Sequence, residues 1–115
     1  METSVAFYQT CIKTLLKNYE GLQSEQAKTI IVADDMGMHY LVLWVGWEGH
    51  KRIHSCALHL DILDERIVIQ CNDTEELIED TLVSMGVAPD AIVLGTLPPF
   101  LRKETSFTPK YSVAA

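Results

Sequence analysis

Apolar side chains recur every three or four positions over residues 4–19, where Val5, Tyr8, Ile12, Leu15, Leu16 and Tyr19 line one face and Lys13 and Lys17 stand between them. That spacing predicts an amphipathic helix, capped by Thr3 or Ser4 and left through Gly21 in the left-handed conformation. After a polar connector the period shortens. Segments 28–32, 39–47, 52–62 and 66–71 are rich in Ile, Val, Leu, Trp and Tyr. The punctuation between them is Asp34-Asp35-Met36-Gly37, Glu48-Gly49-His50 and Asp64-Glu65, too short for crossover helices and suited to tight hairpins. Four antiparallel strands in a meander are expected. In the third, strict alternation sets Cys56, Leu58, Leu60 and Ile62 on an oily face and Ser55, Ala57, His59 and Asp61 on a mixed one.

The helical period returns after Asn72-Asp73, with Leu77, Ile78, Leu82, Val83 and Met85 as the apolar stripe, Asp73 or Thr74 as N-cap and Gly86 as the stop. This helix should lie beside the first on the oily sheet face. Pro89-Asp90 opens a short helical turn, Ile92-Val93-Leu94-Gly95 reads as a short buried segment, and Pro98-Pro99 ends regular structure. The tail from Phe100 keeps Arg102, Phe107 and Tyr111, too apolar a set for a free linker. The expected fold class is therefore α/β in the α+β sense: two layers, helix, four-stranded antiparallel sheet, helix.

At 115 residues the chain has room for a single domain, 1–115. Nine basic against sixteen acidic residues leave a formal charge of −7, which repels phosphate backbones, so direct nucleic acid binding is disfavoured unless Lys51, Arg52, Lys103 and Lys110 gather into one basic patch. The start Met1-Glu2-Thr3-Ser4 is unlike a signal peptide, and charged residues interrupt the most apolar stretch, so neither export nor membrane insertion is expected. Cys11, Cys56 and Cys71 form an odd set without a CxxC pair, which suits reduced thiols in a cytoplasmic protein.

Candidate chemistry is sparse. His54, Cys56 and His59 invite a metal reading, but strict alternation puts His59 on the opposite face from the other two, and no tightly bound metal and no cofactor is expected. Glu75, Glu76, Glu79 and Asp80 read as a solvated helix face rather than as paired acid and base. There is neither a phosphate-cradling Gly-rich loop nor a Gly-x-Ser-x-Gly elbow. A polar pocket built from His39, His54, His59 and Asp61 would serve a small-molecule-binding or enzymatic domain. In the second strand, Tyr40, Val42 and Trp44 alternate with Leu41, Leu43, Val45 and Trp47, so both of its faces want cover. Two helices cover one sheet face, and the other is expected to be an interface, to which Tyr40, Val42 and Trp44 are assigned.

The run Tyr40-Leu41-Val42-Leu43-Trp44-Val45-Gly46-Trp47-Glu48-Gly49, followed by Leu58-His59-Leu60-Asp61-Ile62, Ile67-Val68-Ile69-Gln70, Thr74-Glu75, Gly86-Val87 and Ile92-Val93-Leu94-Gly95, strongly resembles the XisI family from the first helix to about Phe107. Asp64-Glu65-Arg66-Ile67-Val68 departs from the family's Asp-Gly-Lys-Ile-Trp, as does the ending after Phe107. The resemblance implies an α/β fold and a controlling factor for excision of the fdxN DNA element in heterocyst-forming cyanobacteria, working with XisH and a site-specific recombinase. It implies no catalytic or ligand-binding residue, and hence a non-enzymatic accessory regulator that acts by protein contact, as a homo-oligomer or with an XisH-type partner.

Overall fold

The computed structural model describes residues 4–98. Thr3, the tail residues from Phe100 onward and the lysines Lys103 and Lys110 lie outside them. The chain runs through helix α1 (Ser4–Leu16), a 3-10 turn (Lys17–Tyr19), strands β1 (Ala27–Asp34), β2 (His39–Glu48), β3 (Lys51–Leu63) and β4 (Arg66–Asn72), helix α2 (Ile78–Ser84), a second 3-10 turn (Pro89–Ala91) and strand β5 (Ile92–Leu94). The sheet order is β1-β2-β3-β4-β5. The first four strands are antiparallel neighbours, as the hairpin punctuation requires. The fifth adds to the expected count: Ile92, Val93 and Leu94 pair in parallel with Ile67, Val68 and Ile69. A parallel neighbour needs a crossover, which α2 supplies between β4 and β5.

One face of the sheet carries both helices. Tyr8, Ile12, Leu15 and Leu16 of α1, and Ile78 and Leu82 of α2, pack with Tyr40, Val42, Leu58, Leu60, Ile67 and Ile69 in a single apolar cluster. Each such side chain taken from water contributes about 1.5–3 kcal/mol. Helix α2 is shorter than its apolar stripe suggests, because Asn72 and Thr74 hold residues 72–76 in a side-chain-bonded turn. Asn72 Oδ1 accepts from the Thr74 amide at 3.0 Å, its Nδ2 donates to Glu76 O at 3.0 Å, and Thr74 Oγ1 accepts from the Glu76 amide at 3.2 Å. Short polar side chains that bond nearby backbone in this way compete with helix. The N-cap position falls to Leu77, without a side-chain cap, and Leu77 and Val83 are exposed rather than in the stripe. Gly86, at φ +109°, ends the helix as expected.

Two irregularities decide which side chains share a face. In the β2–β3 ladder Leu43 pairs with Cys56 but Val42 pairs with Leu58, so Ala57 is an extra residue on β3. In the β3–β4 ladder His59 pairs with Cys71 and Leu60 with Ile69, so Gln70 is extra on β4. Ala57 thereby joins Leu58 in the core, fully buried, and Cys56 turns to the face of His59. This corrects the strict alternation expected for β3.

The assignment of Tyr40, Val42 and Trp44 to an open face is also corrected. Tyr40 and Val42 are 0% exposed and lie in the core against the helices, and Trp44 packs against the same cluster. The two helices need these large side chains to close their layer. Tyr40 reaches the rim only with its hydroxyl, which donates to Asp35 Oδ1 at 2.7 Å, and Lys13 Nζ of α1 meets Asp35 Oδ2 at 2.6 Å. The Lys13 and Tyr40 hydrogen bonds hold the Asp35 carboxyl below its usual range, while burial, with the Asp35 bond, pushes the Tyr40 phenol up.

Two tests follow from this architecture. A carboxyl whose folded-state pKa is lowered stabilises the fold above its unfolded value of about 3.9 and loses that contribution as pH falls through the folded value. Asp35→Asn should therefore lower the melting temperature at neutral pH, by an amount that shrinks as pH is lowered below the usual carboxylate range. An effect independent of pH would contradict the contact. The β3–β4 hairpin turns through Asp64 and Glu65 with φ of +51° and +59°, a left-handed pair that favours Gly at the second position. Glu65→Gly should stabilise the chain by up to about 1 kcal/mol in urea unfolding, and destabilisation would show that the turn is not strained.

Candidate functional site

The sheet face away from the helices carries the remaining functional candidates. Along β2 it presents His39, Leu41, Leu43, Val45 and Trp47, and the ladders add Lys28, Ile30, Val32 and Asp34 from β1 and Arg52, His54, Cys56, His59 and Asp61 from β3. Partners directly opposite in a ladder project to the same side. Within this face, apolar exposure belongs to the β1–β2 side: Ile30, Val32 and Trp47 are 36, 38 and 56% exposed, whereas Val68 and Val93 on β4 and β5 are buried. The band ends in mixed charge. Lys28 and Arg52 stand at the Trp47 end, where the Arg52 guanidinium lies 5.2 Å from the indole centroid and donates to Gly46 O at 3.3 Å. Lys51 and Arg52 are neighbours at the β2–β3 turn, and the other two lysines of the expected basic patch lie outside the described residues.

At the opposite end, three of the four residues expected to form a polar pocket come together. His39 and Asp61 are direct partners across β2 and β3, and His59 precedes Asp61 by two positions on the same face. His39 Nδ1 and His59 Nε2 lie 2.8 and 2.9 Å from the same oxygen, Asp61 Oδ1, each ring N–H donating to it. Gln70 Nε2 donates to Asp61 Oδ2 at 3.3 Å. The Asp61 side chain is only 5% exposed, that of His59 29% and that of His39 53%, so the group is buried at its carboxylate and opens to solvent through His39. His54, opposite Val45, shares the face but not the cluster, because the Cys56 rung separates it from His59.

The bulge at Ala57 removes the parity argument against a shared metal face, since His54, Cys56 and His59 do project to one side. The donors that converge are nevertheless a different set, His39, His59 and Asp61. Cross-strand pairing of His39 with Asp61 is the contribution that reading β3 alone missed. Cys56 and Cys71 are free thiols on this face, and Cys71 Sγ donates to Cys56 O at 3.4 Å. Burial, then the neighbouring Cys56 and Asp73, push the Cys71 thiol up, which keeps it protonated and a poor nucleophile. Of the four carboxylates expected on one helix face, Glu75 and Glu76 fall in the turn before α2 and Glu79 and Asp80 on the helix itself; Glu75, Glu76 and Asp80 are exposed and Glu79 is half-buried. A cleft of about 190 Å³ lies between α1 and α2, lined by Leu15, Tyr19, Leu22, Glu76, Ile78 and Thr81. It is smaller than the roughly 300–1,000 Å³ typical of metabolite pockets and contains none of the histidines. No helix among the described residues is long and apolar enough to cross a membrane.

Comparison with known proteins agrees with this architecture. A search of curated proteins returned no match. Among solved structures, a XisI-like protein from Anabaena variabilis ATCC 29413 is 35% identical, with a TM-score of 0.82 over 90% of this chain and 96% of that one. The fdxN element excision controlling factor XisI from the same organism is 28% identical, with a TM-score of 0.79 over 91% of this chain and 97% of that one. With the XisI protein family model matching residues 1–109, nearly the whole sequence, and the same helix-and-sheet frame in these structures, the chain belongs to the XisI family.

Proposed function

We propose that this protein is a non-enzymatic accessory regulator of DNA element excision that acts by protein contact in the cytoplasm, using the helix-free face of its sheet as the docking surface. The observation that carries the reading is the apolar band of Ile30, Val32 and Trp47, extended by the half-buried Leu41, Leu43 and Val45. Apolar bands on one sheet face of a small protein commonly serve association. The name of the 28% identical XisI, an excision controlling factor, supports a regulatory role. A formal charge of −7 favours a protein partner over DNA, and Arg52 already engages Trp47 and Gly46. The partner is an XisH-type protein that acts in turn on a recombinase, with a second copy of the chain as the other occupant of the face.

Ile30 lies in the middle of β1, its side chain on the apolar band and opposite Leu43. Placing a carboxylate there should leave the core intact and charge the surface. Ile30→Glu is expected to weaken binding to an XisH-type protein, or self-association, at least about tenfold, which corresponds to about 1.4 kcal/mol, with the melting temperature nearly unchanged. Light scattering and affinity capture read the two cases. A wild-type chain that stays monomeric at high concentration and captures no XisH-type protein would contradict the proposal.

A further inference from the structure

We propose that His39, His59 and Asp61 form a binding site for a divalent transition metal of the zinc class. The three residues each offer one ligand atom, a ring nitrogen from each histidine and a carboxylate oxygen of Asp61, all within 4.8 Å of one another, and the nitrogens that face Asp61 Oδ1 are His39 Nδ1 and His59 Nε2. Two imidazoles and one carboxylate are a donor set that zinc and its first-row neighbours accept, leaving a further position for water or a partner's ligand.

The strands hold the donors before any metal arrives. His39 and Asp61 are locked opposite each other by the β2–β3 register, and His59 and Asp61 sit on adjacent same-face positions of one strand. Gln70 Nε2, 3.3 Å from Asp61 Oδ2, orients the carboxylate from β4. Such outer contacts fix the direction of a ligating group and are usual around bound metals. Entry is open through the half-exposed His39 ring.

Binding changes the tautomer of both rings, with no net release of protons. The two ring protons that now point at Asp61 Oδ1 leave His39 Nδ1 and His59 Nε2, with each imidazole remaining neutral as its other nitrogen takes up a proton. The nitrogen lone pairs and the carboxylate then coordinate the ion. Bonds of about 2.0–2.2 Å in a tetrahedral arrangement put ligand atoms about 3.3–3.6 Å apart, so the present 2.8 and 2.9 Å contacts must open by about half an ångström. Small rotations of the His39 and His59 side chains accommodate that. The site stands at the end of the apolar band, next to Val32 and Leu41, where the open coordination position would face a docked partner.

The full chain, produced without a polyhistidine tag and stripped with chelator, should be titrated with zinc chloride by calorimetry and with cobalt chloride by visible absorption. One equivalent should bind with micromolar or tighter affinity, and bound cobalt should show ligand-field bands of a four- or five-coordinate site. His39→Ala and His59→Ala should each weaken binding at least about tenfold to hundredfold and remove those bands. His39 is half exposed, so His39→Ala keeps the fold even if the change at His59 does not. Cys56→Ser and Cys71→Ser should bind as the natural chain does. Absence of saturable binding, or binding insensitive to His39→Ala, or binding lost with the cysteines, would overturn the proposal. None of these outcomes depends on whether the apolar band docks a partner.

Discussion

One extra residue in β3, Ala57, decides what each face of the sheet contains. The two-residue turn at Gly49 and His50 starts the β2–β3 ladder with Glu48 opposite Lys51, and that register continues as far as Leu43 opposite Cys56. Carried on without interruption it would set Tyr40 against His59 and His39 against Leu60. The bulge shifts the pairing by one, so that Tyr40 meets Leu60, Val42 meets Leu58 and His39 meets Asp61. Leucines then face the helices with Tyr40, and the polar residues gather on the other side. A one-residue slip in a half-buried strand otherwise exchanges its core and solvent sets.

Both proposed sites depend on that device. The helices close over Tyr40, Val42, Leu58 and Leu60, which leaves Ile30, Leu41, Leu43 and Trp47 as the outward apolar set. The same shift brings His39 to Asp61 beside His59, its same-face neighbour on β3, so that a nearly buried carboxylate at the end of the sheet accepts hydrogen bonds from both rings. Gly46 fixes the other end of β2: a Cβ there would lie 1.8 Å from Gln26 O, because the chain entering β1 crosses against it while the Trp47 amide donates to that same oxygen at 2.8 Å. Exchange of Gly46 for any larger residue would part the chain entry from β2.

Much of this frame was legible in the amino-acid order. The periodicity of α1, the four antiparallel strands and the stops at Gly21 and Gly86 follow from local spacing, and the observed elements match them within a few residues. The faces were not legible, because Ala57 and Gln70 carry no mark of being extra; either residue is ordinary within a regular strand. An error of parity in β3 then reverses Ala57 and Cys56, and the metal reading, confined to that one strand, leaves out His39, which entered only through the expected polar pocket. The choice between Tyr40, Val42 and Trp44 and their odd-numbered neighbours was equally hidden, since both sets are apolar and only the side taken by the helices separates them. The second helix begins late for a comparable reason: the Asn72 side-chain turn outcompetes the acidic first turn that the sequence suggests.

Comparative unfolding in urea of Ala57→Leu and Cys56→Leu tests the bulge most directly. Ala57 is fully buried among the helix-facing side chains, and Cys56 is half-buried on the opposite face. A leucine forced into the filled core at position 57 should cost about 1–3 kcal/mol, and one at position 56 should cost much less. The opposite order would mean that β3 runs unbulged, with Ala57 beside His59 on the outer face, and would contradict the assignment of both sheet faces.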